Sequence, residues 1–141
     1  MELILSNVAD ESEEKLILNA LRRHNGLFSP VDVQPLRITM KDPTGMMKGG
    51  LIAKTWWGGL DIIYLWVADE YRKKGYGRNL MMMAENEALI RGCHFAYLQT
   101  LSIQAPDLYK KLGYVEYGSL GGFAHQFSRH YLCKFFDKKS P

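Results

Sequence analysis

The sequence predicts an α/β fold of a single domain, a mixed and mostly antiparallel sheet of six or seven strands with helices on both faces. Three observations predict it. The first half alternates short apolar runs with turns rich in glycine and proline and has no crossover helix, which describes an antiparallel meander. The second half reads strand, helix, strand, helix, strand. Finally, 141 residues that are 47% hydrophobic and 23% charged suit one compact core and exclude a disordered or fibrous chain.

The elements follow in order. Leu3–Val8 reads as an opening strand. Asp10 stands three residues before Glu13, the spacing of an N-cap and its partner. Leu16, Ile17, Ala20 and Leu21 then recur at helical spacing to about His24, and Asn25-Gly26 stops the helix. Phe28–Asp32 is a loop. Leu36–Met40 alternates apolar and polar residues, Asp42-Pro43-Thr44-Gly45 turns the chain, and Met47–Trp57 returns. Gly58-Gly59 makes the next turn into Asp61–Val67, a dense apolar strand. Gly77–Arg91 is a helix with Leu80, Ala84 and Ala88 on one row, flanked by Met81 and Met83, and Gly92 ends it. His94–Leu101 is a strand. Pro106–Leu112 is a short helix begun by a proline and stopped by Gly113. Tyr114–Gly118 and His130–Phe136 are the last strands, joined by the glycine-rich and aromatic stretch Gly118–His130.

Charge is unevenly placed. The total is 18 basic against 15 acidic residues, or +3, but residues 1–14 hold five acids and no base. The remainder therefore carries 18 bases against 10 acids, with one dense cluster, which asks for a phosphate ligand. No recognition helix, stacking motif or paired zinc site accompanies it, so nucleic acid is not the expected partner. Two cysteines, Cys93 and Cys133, make no disulfide framework and lack a base and orienting partner, so they read as structural thiols. His125, His130 and Cys133 lack the paired spacing of a metal site, and no metal is expected. The chain lacks a basic-then-apolar leader, and no run approaches the roughly 18 apolar residues of a membrane span. The expectation is a cytoplasmic protein that does not bind membrane.

The sharpest local signal is Trp66–Arg78, where an apolar strand runs into a basic loop and then a helix. Amide groups at a helix start have no intrahelical partner, and the helix dipole adds positive character there. Gly75 and Gly77 let that backbone close around a ligand, and Arg72, Lys73, Lys74 and Arg78 add formal charge, which together makes a pyrophosphate cradle. A dinucleotide fingerprint would need a glycine where Leu80 stands, and a P-loop would need Gly-Lys-Ser/Thr. Both are excluded.

Arg72-Lys73-Lys74-Gly75-Tyr76-Gly77, set between strand and helix, resembles the acetyl-CoA signature of the GCN5-related N-acetyltransferase (GNAT) superfamily. A second block, Gln104-Ala105-Pro106-Asp107-Leu108-Tyr109-Lys110-Lys111-Leu112-Gly113-Tyr114, is similar to that superfamily's later motif. The two lie one helix and one strand apart, as in the family. The resemblance covers about residues 47–136 well and the first 46 weakly. It implies a GNAT-like sheet with a splayed central strand pair, His94–Leu101 diverging from Asp61–Val67 to open a slot for acetyl-CoA as cosubstrate.

Residue by residue, the resemblance implies that amides around Lys73–Arg78 hold the coenzyme's pyrophosphate, with Arg72, Lys73, Lys74, Gly75, Tyr76, Gly77 and Arg78 at the cofactor. It implies main-chain pairing of Leu65–Val67 with the pantetheine arm, as if the arm were an added strand. Gln104 and Tyr109 fall at the cofactor too. Tyr109 occupies the position where many relatives place a tyrosine near the thioester sulfur, and a phenol of ordinary pKa near 10 is a competent general acid. The main-chain N–H near Val67 is suited to polarise the acetyl carbonyl. The reaction implied is direct attack by a primary amine in a ternary complex.

The general base stays open among Asp61, His94, His125, His130, a water relay and an amine that arrives neutral, because Ile62–Trp66 contains no carboxylate. For the acceptor, one of Trp56 and Trp57 is expected in the core and the other in a groove or, for both, at a hairpin end. Phe123, His125, Phe127 and Arg129 are candidates to shape its pocket. An amine-bearing small molecule and a polypeptide amine are both open as acceptors, as is a homodimer by analogy with small relatives. The reading from another class is a catalytically silent acyl-CoA-binding or regulatory domain.

Overall fold

The computed structural model describes residues 1–104 and 106–136. The chain divides into two compact units, Met1–Asp32 and Val33–Pro141. In the first unit α1 spans Glu11–Asn25, and the Asp10 carboxylate caps it by accepting from the Ser12 and Glu13 amides at 3.0 and 3.1 Å. Those bonds, led by one from the Ser12 hydroxyl, hold the Asp10 carboxyl below its ordinary pKa. Glu11, Glu13 and Glu14 occupy the first turn and Arg22, Arg23 and His24 the last, the arrangement that opposes the helix dipole. Leu3–Val8 forms no strand, contrary to the sequence expectation. An apolar run becomes a strand only when a neighbouring strand takes up its backbone groups, and none of the six strands pairs with it.

The second unit is built on one sheet. Its strands are β1 (Gln34–Lys41), β2 (Met47–Trp56), β3 (Gly59–Val67), β4 (Phe95–Leu101), β5 (Val115–Phe123) and β6 (Phe127–Phe135). Their spatial order is β1-β2-β3-β4-β6-β5. Every neighbouring pair is antiparallel except β3–β4, which is parallel. Helix α2 (Tyr76–Ile90) provides the crossover between that pair, and α3 (Pro106–Lys111) precedes β5. The expected mixed, mostly antiparallel sheet with flanking helices is present, with six strands and not seven.

Local chemistry explains the turns. Asp42 folds the β1–β2 connection by accepting from the Thr44 and Met46 amides at 2.9 and 3.0 Å. The β2–β3 turn is centred on Trp57 and Gly58, both at positive φ, one residue earlier than Gly58-Gly59. Both tryptophans thus stand at the hairpin end. Trp56 is half-buried at the close of β2, and the rings lie 5.5 Å apart.

The core lies between α2 and one face of the sheet, drawing residues from β1, β2, β3, β4 and β6. Leu51, Leu60, Met81 and Leu132 are fully buried, and Ala84, Ala88 and Ala96 permit close approach of helix and strands. The helix row Leu80, Ala84, Ala88 is buried as expected. Met81 joins it, whereas Met83 faces outward.

Two departures matter for function. Gly118–His130, expected as a connector, is the body of the β5–β6 hairpin, which turns at Ala124 and His125. Its glycines weaken the side-chain signal for a strand, but β6 is laddered on both edges and imposes pairing regardless. The second departure confirms an expectation. β3 and β4 pair only from Gly59–Phe95 to Ile62–Leu98, and beyond that point they part. A bulge at Ile63 marks the parting, since Ile62 pairs with Ala53 and Tyr64 with Ile52.

Candidate active site

The separation of β3 and β4 opens a cavity of about 700 Å3. The unpaired half of β3, Ile63–Val67, forms one wall, and Leu98, Gln99 and Thr100 of β4 form the other. β2 pairs with β3 through Val67, so only the β4 edge of that half is open, and alternate residues turn N–H and C=O groups toward the cavity. The loop after β3 and the start of α2 form one end, with Leu108 and Tyr109 of α3 beside it.

The loop is braced so that its cations and amides hold position. Lys48 Nζ meets Glu70 at 2.9 Å, and the Ala68 amide donates to the Lys48 carbonyl at 2.8 Å. Arg72 Nε donates to the Val67 carbonyl at 2.9 Å, while its Nη1 lies 3.3 Å from Asp69. Arg72 thus ties the loop to the end of β3. Tyr71 and Tyr76 contact edge to face at 5.9 Å. Gly75 is the N-cap of α2 at φ 89°, a conformation that suits glycine, and no side chain caps the helix. The first-turn amides therefore point at the cavity without an internal acceptor, flanked by Lys73 and Arg78. An uncapped helix start beside two cations is a site for an anion. Gly77 has a different constraint, because a Cβ there would come within 3.2 Å of Leu108.

Tyr109 is half-buried, packs against the core, and meets the Tyr114 ring edge-on at 6.2 Å. Burial pushes its hydroxyl above the ordinary tyrosine pKa, so it stays protonated across the neutral range. Beneath it runs a buried polar clamp. Tyr114 Oη donates to Glu85 Oε2 at 2.9 Å, and Lys134 Nζ donates to Glu85 Oε1 at 2.7 Å. That clamp joins α2, the α3–β5 turn and β6.

Of the residues singled out from sequence, Leu65, Val67, Arg72, Lys73, Gly75, Tyr76, Gly77, Arg78, Gln104 and Tyr109 all line the cavity. Lys74 does not; its ammonium stands over the Tyr71 ring at 5.7 Å. Gln104 also accepts from the Leu101 amide at 2.8 Å and so closes the end of β4. Ala105 of the second block lies outside the described residues. Trp56, Trp57, Phe123, His125, Phe127 and Arg129 are not among the lining residues.

Asp61 is not among the lining residues; it stands one residue before the last β3–β4 pair and is registered opposite Tyr97. Trp56 Nε1 donates to Tyr97 Oη at 2.8 Å, and Tyr97 bonds the Asp61 carboxylate. Burial raises the Asp61 carboxyl above its ordinary value, opposed by Lys54 and by the Tyr97 hydrogen bond. His130 is occupied on both ring nitrogens, by Glu116 and by Ser128. Sequence reading missed the partner Tyr97 and the wall residues Tyr64 and Thr100. Only the position of the parting identifies them, and pattern within one strand does not reveal it.

The acetyltransferase (GNAT) domain family matches residues 40–116, more than half of the chain, including both walls and the phosphate loop. The chain belongs to the GNAT family. It is 37% identical over 122 residues to an acetyltransferase of Agrobacterium fabrum, covering 86% of this chain and 89% of that protein. It is 31% identical over 135 residues to the blasticidin-S acetyltransferase of Streptomyces morookaense, covering 92% and 94% respectively. A crystal structure from Agrobacterium tumefaciens, of a protein assigned as an acetyltransferase, superposes with a TM-score of 0.90 at 36% identity over 96% of this GNAT chain. Family and relatives agree on acetyl transfer as the activity class.

Proposed function

We propose that the chain transfers the acetyl group of acetyl-CoA to a primary amine by direct attack in a ternary complex. The observation that carries this reading is one cavity running from an uncapped helix start, along an unpaired strand edge, to Tyr109. Those three features match the pyrophosphate, the amide-bearing pantetheine arm and the thioester in order. Acetyl-CoA supplies the activated carbonyl.

The chain's residues do the remainder. Amides around Gly75–Arg78, with Lys73 and Arg78, hold the pyrophosphate. The open edge of Leu65–Val67 pairs with the arm and orients it. Tyr109 Oη donates a proton to the departing sulfur as the C–S bond breaks. Asp61, outside the cavity lining, accepts through a water relay the proton that the amine sheds as the C–N bond forms. Its carboxylate is held by Tyr97 beside the closed end of the slot, and its raised pKa suits a base. The 31% identity with a protein named blasticidin-S acetyltransferase supports a small-molecule amine over a polypeptide end.

The test is thiol release from acetyl-CoA with a panel of small amines, blasticidin S and short peptides with free N-termini. Release that depends on a small amine is expected. Coenzyme A binding with no release across the panel would mean a silent binding domain.

A further inference from the structure

Helix α1 has not been given a role, and it buries none of its residues. Its side chains still divide into two faces. Ile17 and Ala20 stand at the centre of one face with Leu16 and Leu21 beside them, at the three- and four-residue spacings of a helix contact. Leu16, Ile17 and Leu21 are 70%, 64% and 57% exposed. The same spacing carries the face outward to Glu13 at one end and His24 at the other. An apolar row open to water marks a contact surface.

The charge along α1 says which surface covers it. Acids fill the first turn and bases the last, and among the described residues Glu11, Glu13, Glu14, Arg22 and Arg23 make no ion pair. Such a helix is complementary to itself when reversed. Set antiparallel against an identical helix about a two-fold axis, Ile17 of each copy meets Ala20 of the other, and the small alanine lets the helices approach closely. The same register puts Glu13 opposite His24, with Arg23 beside it, at both ends. A parallel pair would instead set acid against acid and base against base. Exposed ion pairs add little affinity, so the apolar row supplies the attraction and the charges fix the direction. The row continues past the helix, where Phe28 meets the His24 ring edge-on at 5.5 Å. Reversal brings Phe28 of one copy toward Val8 of the other, and these are 77% and 74% exposed.

We propose that α1 is a dimerisation helix, covered by a second copy of this chain through an antiparallel α1–α1 pair. The proposal does not rest on the acetyl-CoA reading of the cavity.

The experiment is sedimentation equilibrium of the full chain at roughly 100 μM, a concentration suited to one short helix pair. The wild type is expected at twice the chain mass. Leu21→Glu is expected at the chain mass with its circular dichroism retained, since a carboxylate enters the middle of the row. Glu13→Lys with Glu14→Lys makes both ends basic, and Arg23→Glu with His24→Glu makes both acidic. Each doubly substituted chain alone should dimerise about tenfold more weakly. An equal mixture of the two should recover the wild-type affinity within about threefold, because each end then joins opposite charges. A monomeric wild type, or a dimer that persists in Leu21→Glu, would overturn the proposal. So would a mixture no tighter than its components, which would mean that another surface covers the row.

Discussion

The two halves of β3 share one strand and one sequence character yet differ in what they do. Gly59–Ile62 is laddered on both edges, and Leu60 and Ile62 are buried in the core. Ile63–Val67 is laddered only to β2, and every one of its residues lines the cavity. Apolar side chains serve the core in the first half and the wall of a slot in the second. The difference is set by β4, which leaves at Leu98, and not by the composition of β3. A strand can therefore be structural and functional in succession, with the change falling at a single pair.

Five substitutions test that division. The largest effect is expected from Gly77→Trp at the anion end of the open half. The indole would fill the cradle and also press on Leu108, which already lies 3.2 Å from where a Cβ would stand. Acetyl-CoA binding should be lost in titration calorimetry with the fold retained by circular dichroism; unchanged affinity would remove the cradle from the account. In the closed half, Ile62→Ala should lower unfolding stability by ~2–4 kcal/mol in denaturant titration. Ile63→Ala, on the exposed bulge, should cost under about 1 kcal/mol. Comparable losses at both sites would erase the distinction between the halves.

Tyr109→Phe should lower turnover about 100-fold while changing coenzyme A affinity less than about twofold. An unaltered rate under conditions where chemistry limits would exclude Tyr109 as the proton donor. The smaller effect on turnover is expected from Asp61→Asn, at the boundary between the halves, with about a tenfold loss. A base acts only when deprotonated, so activity should rise with pH through the Asp61 pKa. Because burial raises that pKa, the loss on acidification should begin at a higher pH than the ordinary value of 3.8 implies. Asp61→Asn should remove this acid limb from the rate profile. A variant that keeps the limb would place the base elsewhere.

The basic, glycine-bearing end of the cavity was readable from sequence because its pattern is local. Gly75, Gly77 and the four cations are contiguous, and a strand before with a helix after is enough to aim the amides. Tyr109, singled out by the resemblance of its block to the family's later motif, lines the same cavity. Lys74 does not line the cavity because adjacent residues of a loop point in different directions, and its ammonium stands over the ring of Tyr71. The acceptor side was not readable. Asp61 acquires its setting from Tyr97, 36 positions later in the chain and opposite only through the parallel register. The length of the β5–β6 hairpin was hidden for a related reason, since its pairing is imposed by neighbouring backbone.

The Glu85 clamp has a consequence for ligand choice. It fastens α2, whose first turn forms one end of the cavity, to the turn that follows the short helix bearing Tyr109. If the cavity takes acetyl-CoA as proposed, the span between the start of α2 and Tyr109 is a fixed gauge, and the cleft selects partly by reach. An arm of the right length delivers its sulfur to the phenol. One that is shorter by a few atoms is held as firmly at the anchor and stops before it arrives.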